Sequence, residues 1–68
     1  MPGFEIVTRD NLTYTHGAKR QFEFRGVLAT LIGFSEEDGH IVLEYTGGIR
    51  VLIPESNIRH IVVVDLDD

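Results

Sequence analysis

The chain contains no cysteine, which excludes two means of stabilisation that small domains often use. Disulfide bonds cannot form, and neither can zinc sites built from thiolates. A chain of 68 residues buries only about 60% of the surface that its unfolded form exposes, so we expect marginal stability. Oligomerisation is a common remedy at this size. The absence of cysteine also fits the cytoplasm, which is the location we predict.

Long apolar runs are also missing. The longest one, Ile61 to Val64, is far shorter than the roughly 20 residues that a helix needs to span a bilayer. The first residues, Met1 to Glu5, lack a basic stretch followed by an apolar one, so we predict no signal peptide. We therefore expect no membrane among the partners of this protein.

Positive charge is scarce, because six Lys and Arg residues stand against eleven Asp and Glu residues and give a net charge of −5. Such a balance repels nucleic acid in general. Most of the basic residues lie early in the chain, at Arg9, Lys19, Arg20 and Arg25. The acidic residues concentrate at a tip, Glu36 to Asp38, and at a tail, Asp65, Asp67 and Asp68. The acidic tip and tail favour a basic protein partner.

Helical periodicity is absent, and the dominant pattern is an alternation of apolar and polar residues. The alternating segments are 22–25, 41–45 and 49–53. This alternation, with its β-branched and aromatic residues, is typical of half-buried strands. It directs Phe22, Phe24 and Tyr45 towards the core and leaves Tyr14 as the aromatic residue that we expect to be exposed. Tyr14 together with Arg9 and Lys19 would then offer a contact for a single-stranded nucleic acid.

Turn residues divide the chain into strands. The pairs Asp38-Gly39 and Gly47-Gly48 predict turns, since glycine supplies the positive φ that tight hairpins require. Pro54 lacks an amide donor, so we predict one helical turn over Pro54–Asn57 and a last strand from Ile58 to Val64. We predict that the stretch Gln21–Phe34 is one long strand, bent at Gly26 and Gly33.

Together these patterns predict one all-β domain over residues 1–68. We expect a small, strongly bent, five-stranded barrel of the SH3-like or Sm-like type, with a short helical turn before the last strand. Closure of a barrel removes the exposed edges that so small an open sheet would have.

The order of residues resembles the Sm/Lsm family over residues ~20 to 64. The resemblance rests on Phe24-Arg25-Gly26-Val27-Leu28, on Ile41-Val42-Leu43-Glu44, and on Gly48 with the segment from Ile53 to Ile61. The same residues are similar to the SH3-like C-terminal domain of bacterial ribosome-maturation factors. Both similarities consist of strand order and the placement of glycines.

The Sm resemblance implies homo-oligomeric rings that are joined by strand pairing and hold RNA at the inner rim. Two departures concern the RNA pocket. The loop Phe34–His40 lacks the Asn of the first family motif, and Ile53 is followed by Pro54-Glu55 in place of a basic residue and glycine. The residues nearest to the implied pocket, and thus our candidates for binding single-stranded RNA, are Arg50, Asn57, Arg59 and His60.

The last strand is apolar on both faces, because Val62 and Val64 point opposite to Ile61 and Val63. Leu52 adds another apolar residue on the outward side of its strand. The predicted contact with a second copy of the chain consists of Leu52, Ile61, Val62, Val63 and Val64. In the alternative interpretation, Phe4, Ile6 and Leu12 cover the last strand within one subunit.

Catalytic and metal-binding patterns are not recognisable. His16, His40 and His60 follow no ligand spacing, and Ser56 lies outside any nucleophile motif. We predict that the protein is not an enzyme and needs no metal or cofactor. Two functions stay open: an Sm-like ring that binds RNA, and an interaction or assembly module without nucleic-acid binding.

Overall fold

The computed structural model describes residues 2–65, and these form an all-β structure, as predicted. The strands are β1 (Pro2–Thr8), β2 (Thr13–Thr15), β3 (Lys19–Gln21), β4 (Leu28–Glu37), β5 (His40–Tyr45), β6 (Arg50–Pro54) and β7 (Ile58–Asp65). Single turns of 3₁₀ helix occupy Phe24–Gly26, Thr46–Gly48 and Glu55–Asn57. The last of these confirms the helical turn predicted before the final strand. Of the predicted acidic tail, Asp67 and Asp68 lie outside the described residues.

The strands form two antiparallel sheets with the orders β2-β1-β7 and β3-β4-β5-β6. The two sheets are joined where the turn between β2 and β3 meets β4. There the amide of Gly17 donates to the carbonyl of Leu31 at 2.9 Å, and the amide of Leu31 donates to the carbonyl of Ala18 at 3.0 Å. The whole is therefore a curled sheet that ends at β6 on one side and at β7 on the other.

The segment predicted as one strand, Gln21–Phe34, is two strands, and this prediction was wrong. The chain reverses after Gln21 through Arg25 and Gly26, whose φ angles are 60° and 62°. The amide of Phe22 donates to the carbonyl of Val27 at 2.7 Å and closes the reversal. Gly26 thus belongs to a turn and not to a bend within a strand. With the short strand β2, this break brings the described residues to seven strands instead of five.

The other predicted bends and turns agree with the structure. Gly33 lies where the register between β4 and β5 shifts, as expected of a bulge. Asp38 and Gly39 have φ angles of 48° and 77°, and Gly47 and Gly48 have angles of 78° and 79°. These left-handed conformations explain why three of the four turn positions are glycine.

The core lies inside the curl. Its buried apolar residues come from β1, β4, β5 and β6: Ile6, Ala29, Leu31, Ile41, Leu43, Tyr45 and Ile53. Phe22 packs against this cluster as predicted, whereas Phe24 is 76% exposed. The alternation does not extend to Phe24 because the chain has left the strand there. Tyr14, expected to be exposed, is half-buried and packs against the core. Among the described residues, no helix has the length and apolar character needed to cross a membrane.

Candidate functional site

Strand β7 is one free edge of the curled sheet. It pairs with β1 alone, so that Ile61 lies opposite Ile6 and Val63 lies opposite Phe4. Ile61 is half-buried against the core, whereas Val63 is 68% exposed. Val62 and Val64 lie on the outer face, and each is 40% exposed. The pairing with β1 therefore leaves the three valines of β7 uncovered to a large extent.

Strand β6 is the other free edge, since it pairs with β5 alone. Its inward residue Ile53 is buried, and its outward residue Leu52 is 58% exposed. The structure thus places the predicted contact residues on the two edges at which the curled sheet ends. Of the residues that the one-subunit alternative assigned to the cover of β7, Phe4 and Ile6 do lie beside it on β1, whereas Leu12 is exposed in the loop after β1.

The four candidates for RNA binding come from β6, from β7 and from the turn between them. Arg50 lies on the outer face of β6, where its guanidinium donates to Glu37 at 2.7 Å. Asn57 belongs to the turn before β7, and its backbone carbonyl accepts from the amide of Arg9 at 2.8 Å. Arg59 and His60 are both exposed on β7, at the point where the register of β7 against β1 shifts.

A cluster of aromatic and basic side chains was missed at the sequence level. The guanidinium of Arg20 lies 5.6 Å from the ring centroid of Tyr14 and 5.5 Å from that of Phe22. Phe22 in turn contacts Tyr45 edge to face, at 5.1 Å between centroids. The available signal was the shared face of Arg20 and Phe22, which are two residues apart. Their contact with Tyr14 and Tyr45 depends on the packing of separate strands.

The residues of this cluster affect the pKa of the Tyr45 phenol. Burial of its side chain raises its pKa above the usual 10.0, the positive charge of Arg20 acts in the lowering direction, and Tyr14 acts in the raising direction. Tyr45 therefore remains a protonated hydrogen-bond donor at neutral pH. A cavity of about 150 Å³ opens beside it, with Tyr14, Lys19 and Arg20 in its lining.

The histidines are separated in the structure. His16 stacks on Phe4 with 4.8 Å between ring centroids, next to an apolar groove of about 340 Å³ that Ile32 and Val63 also line. His40 places Nδ1 3.1 Å from the carbonyl of Asp38. Within residues 2–65, no group of three His, Cys, Asp or Glu residues is placed to hold a metal ion.

Two carboxyl groups meet between the end of β4 and the turn before β7. The hydrogen bond with Glu36 raises the pKa of Glu55 above its usual 4.5, and the charge of Glu36 and slight desolvation act in the same direction. The positive charge of His40 acts against them. The carboxyl group of Glu55, at the surface of the protein, therefore keeps its proton to a higher pH than usual.

Comparison with known proteins identifies no relative, because no family model, curated protein or solved structure matches the chain.

Proposed function

We propose that the protein is a non-enzymatic, Sm-like barrel module that assembles with copies of itself through the edges of β6 and β7. The observation that carries this proposal is the exposure of Val62, Val63 and Val64 on an edge strand of eight residues. Exposed edges with apolar side chains promote pairing with another chain, and natural proteins usually blunt them with charge or proline.

The ends of these strands carry such blunting residues, but their centres do not. On β7, Arg59 and His60 precede the apolar run, and Asp65 ends it. On β6, Arg50 is the first residue and Pro54 the last. Uncharged edge is thus left at Val51 to Ile53 and at Ile61 to Val64. The uncharged stretches are three and four residues long.

The faces of the two edges match. If β7 of one copy pairs with β6 of the next, directly opposite residues share a face of the extended sheet. Val62 and Val64 then join Leu52 on the outer face, and Ile61 and Val63 join Val51 and Ile53 on the inner face. Because β6 and β7 are different surfaces, this contact is heterologous and produces a closed ring when the rotation between copies divides a full turn.

The free energies of burial and of association require that the contact between copies include several residues. Full burial of one exposed Val or Leu side chain is worth about 1.5–3 kcal/mol. Association costs at least about 4 kcal/mol in lost translational and rotational freedom. One covered valine is therefore insufficient, and the proposal needs Leu52 and the valines of β7 to be covered together with the backbone of both edges.

Sedimentation velocity and light scattering at micromolar concentration test this proposal. We expect a species whose mass is a multiple of 7.7 kDa. The double variant Leu52→Lys/Val63→Lys should sediment as a monomer and keep its β-sheet circular dichroism, because both residues are exposed in the single chain. Leu12→Lys is the matched control, since it places the same charge at an exposed leucine away from both edges and should leave the assembly intact. A wild-type chain that sediments as a monomer throughout would exclude the proposal.

Single-stranded RNA and a basic protein are the further partners implied by the resemblance and by the acidic tip. RNA has less support than a basic protein, because the net charge is −5 and one of the candidate RNA-binding residues, Arg50, is paired with Glu37. Fluorescence titration with U-rich and A-rich strands at low salt tests it. Specific binding should weaken steeply as salt increases.

A further inference from the structure

The guanidinium of Arg20 lies close to two aromatic rings. The rings of Tyr14 and Phe22, both within 5.6 Å of its central carbon, fix the guanidinium by cation–π attraction. Within residues 2–65, the arginine side chains that donate hydrogen bonds are those of Arg9 and Arg50, so the planar N–H fork of Arg20 has no protein partner there. This fork is the one that matches the oxygens of an oxyanion in a bidentate manner.

Among residues 2–65, no carboxylate forms an ion pair with Arg20. Within residues 2–65, the ion pair of the structure joins Arg50 to Glu37, and neither Lys19 nor Arg20 meets a carboxylate. This is unexpected in a chain with eleven acidic and six basic residues. An unpaired cation that is already oriented costs little further ordering when an anion arrives.

The adjoining cavity has the size and the chemistry for such an anion. Its volume of about 150 Å³ leaves room for a tetrahedral oxyanion. The side chains that line it include no carboxylate, and the polar ones all carry donors: Thr13, Tyr14, Thr15, Lys19, Arg20 and Tyr45.

We propose that this cavity binds the phosphate group of a small phosphomonoester. Arg20 supplies the bidentate contact, and the phenols of Tyr14 and Tyr45 are placed to donate further hydrogen bonds. Lys19 lines the same cavity, and its flexible stem lets the ammonium group approach the ligand. A phosphomonoester carries about −1.5 to −2 charge at neutral pH and so matches two cations, whereas a carboxylate or a phosphodiester carries only one negative charge.

The tyrosine fluorescence of the full chain gives a direct assay. The chain has two tyrosines and no tryptophan, and both tyrosines line the cavity. Glycerol phosphate, titrated at constant ionic strength and pH 7.5, should change this fluorescence in a saturable way. Dimethyl phosphate, a diester, and acetate should bind at least about tenfold more weakly, because they lack the second charge.

Variants separate a specific site from general charge attraction. Arg20→Gln should weaken glycerol phosphate at least about tenfold through loss of the bidentate contact. Lys19→Gln should weaken the binding of glycerol phosphate less than Arg20→Gln does. This variant tests the site without disturbing the aromatic packing around Arg20. Arg25→Gln is the control: it removes the same charge from a guanidinium that stacks on Phe24, 5.2 Å from the ring, outside the cavity lining. The affinity of Arg25→Gln for glycerol phosphate should stay within about twofold of that of the wild type.

Three results would overturn the proposal. One is a fluorescence change that does not saturate or that is as large with acetate. Another is equal weakening by Lys19→Gln and Arg25→Gln, which would indicate diffuse attraction. The third is binding of dimethyl phosphate, or of an oligonucleotide without a terminal phosphate, as tight as that of glycerol phosphate, which would indicate a phosphodiester ligand instead.

Discussion

Strands β5 and β7 are both rich in apolar residues, but their surroundings differ. In β5, Ile41, Val42, Leu43 and Tyr45 are each at most 6% exposed. In β7, the run from Val62 to Val64 is 40% to 68% exposed. Strand β5 lies between β4 and β6, so backbone and side chains flank it on both sides. Strand β7 has only β1 beside it.

The outer faces of β5 and β7 also differ. Val42 points away from the core and is nevertheless 0% exposed. Glu37 on β4 lies opposite His40, and Arg50 on β6 lies opposite Glu44, two residues to either side of Val42 along β5. The ion pair between these residues therefore crosses β5 diagonally at the level of Val42. No ion pair of this kind crosses the outer face of β7 within the described residues.

The largest expected effect is the loss of a leucine from the centre of this arrangement. Leu43→Ala should lower the free energy of unfolding by about 2–5 kcal/mol, because the leucine is fully buried and its removal leaves a cavity. Leu52→Ala, on the exposed edge, should change it by about 0.5 kcal/mol or less in the monomer. Urea denaturation at low protein concentration measures both. Equal losses would contradict the difference between centre and edge.

The valines of the two outer faces give a smaller effect. Val42→Ala removes two buried methyl groups, which are worth about 1.5 kcal/mol. Val62→Ala should cost about 0.5 kcal/mol or less in the monomer, because its side chain is already in contact with water. If copies of the chain cover β7, the cost of Val62→Ala should increase with protein concentration. A cost that is large at all concentrations would argue against an open edge.

The ion pair itself should contribute less again. Both side chains are more than half exposed, so a double-mutant cycle with Glu37→Gln and Arg50→Gln should give a coupling of about 0.2–1 kcal/mol. The coupling should decrease when salt is raised, since salt screens exposed charges. A coupling that does not change with salt would indicate that the pair acts by packing over Val42 instead.

The smallest effect concerns the turn that connects the edge β6 to the edge β7. The raised pKa of Glu55 means that the folded state prefers the protonated carboxyl group. The stabilisation that Glu55 contributes should therefore be complete at pH values below about 4.5 and be lost as pH rises through the folded-state pKa. Glu55→Gln should remove this decrease, and Glu23→Gln, a charge removal elsewhere, should not. Thermal unfolding across this pH range measures it, and an unchanged slope in Glu55→Gln would contradict the assignment.

Much of the fold was predictable because its signals are local. The turns at Asp38-Gly39 and at Gly47-Gly48, and the helical turn after Pro54, depend on the conformational limits of glycine and proline. The break at Arg25 was not predictable from alternation, because Arg25 is a non-glycine residue with φ of 60° and the pattern continues through it. Exposure of Phe24 follows from that break.

The candidate sites also differ in how far the sequence predicts them. Apolar residues on both faces of the last strand could be recognised from Ile61 to Val64 alone, since side chains alternate along any strand. The position of Arg20 between Tyr14 and Phe22 could not be recognised from the sequence, because it brings together side chains from different strands. The pairing of Arg50 with Glu37, which engages an RNA candidate in an ion pair, likewise depends on the order of β4, β5 and β6.

By itself, then, the sequence determined that the chain is all-β, where its tight turns lie and which residues are apolar. These properties follow from the preferences of neighbouring residues. Only the tertiary structure decided that β5 is a central strand and β7 an edge. The same kind of apolar run is core in one place and open surface in the other, because burial depends on which strands lie alongside, and the pattern within a strand carries no information about its neighbours.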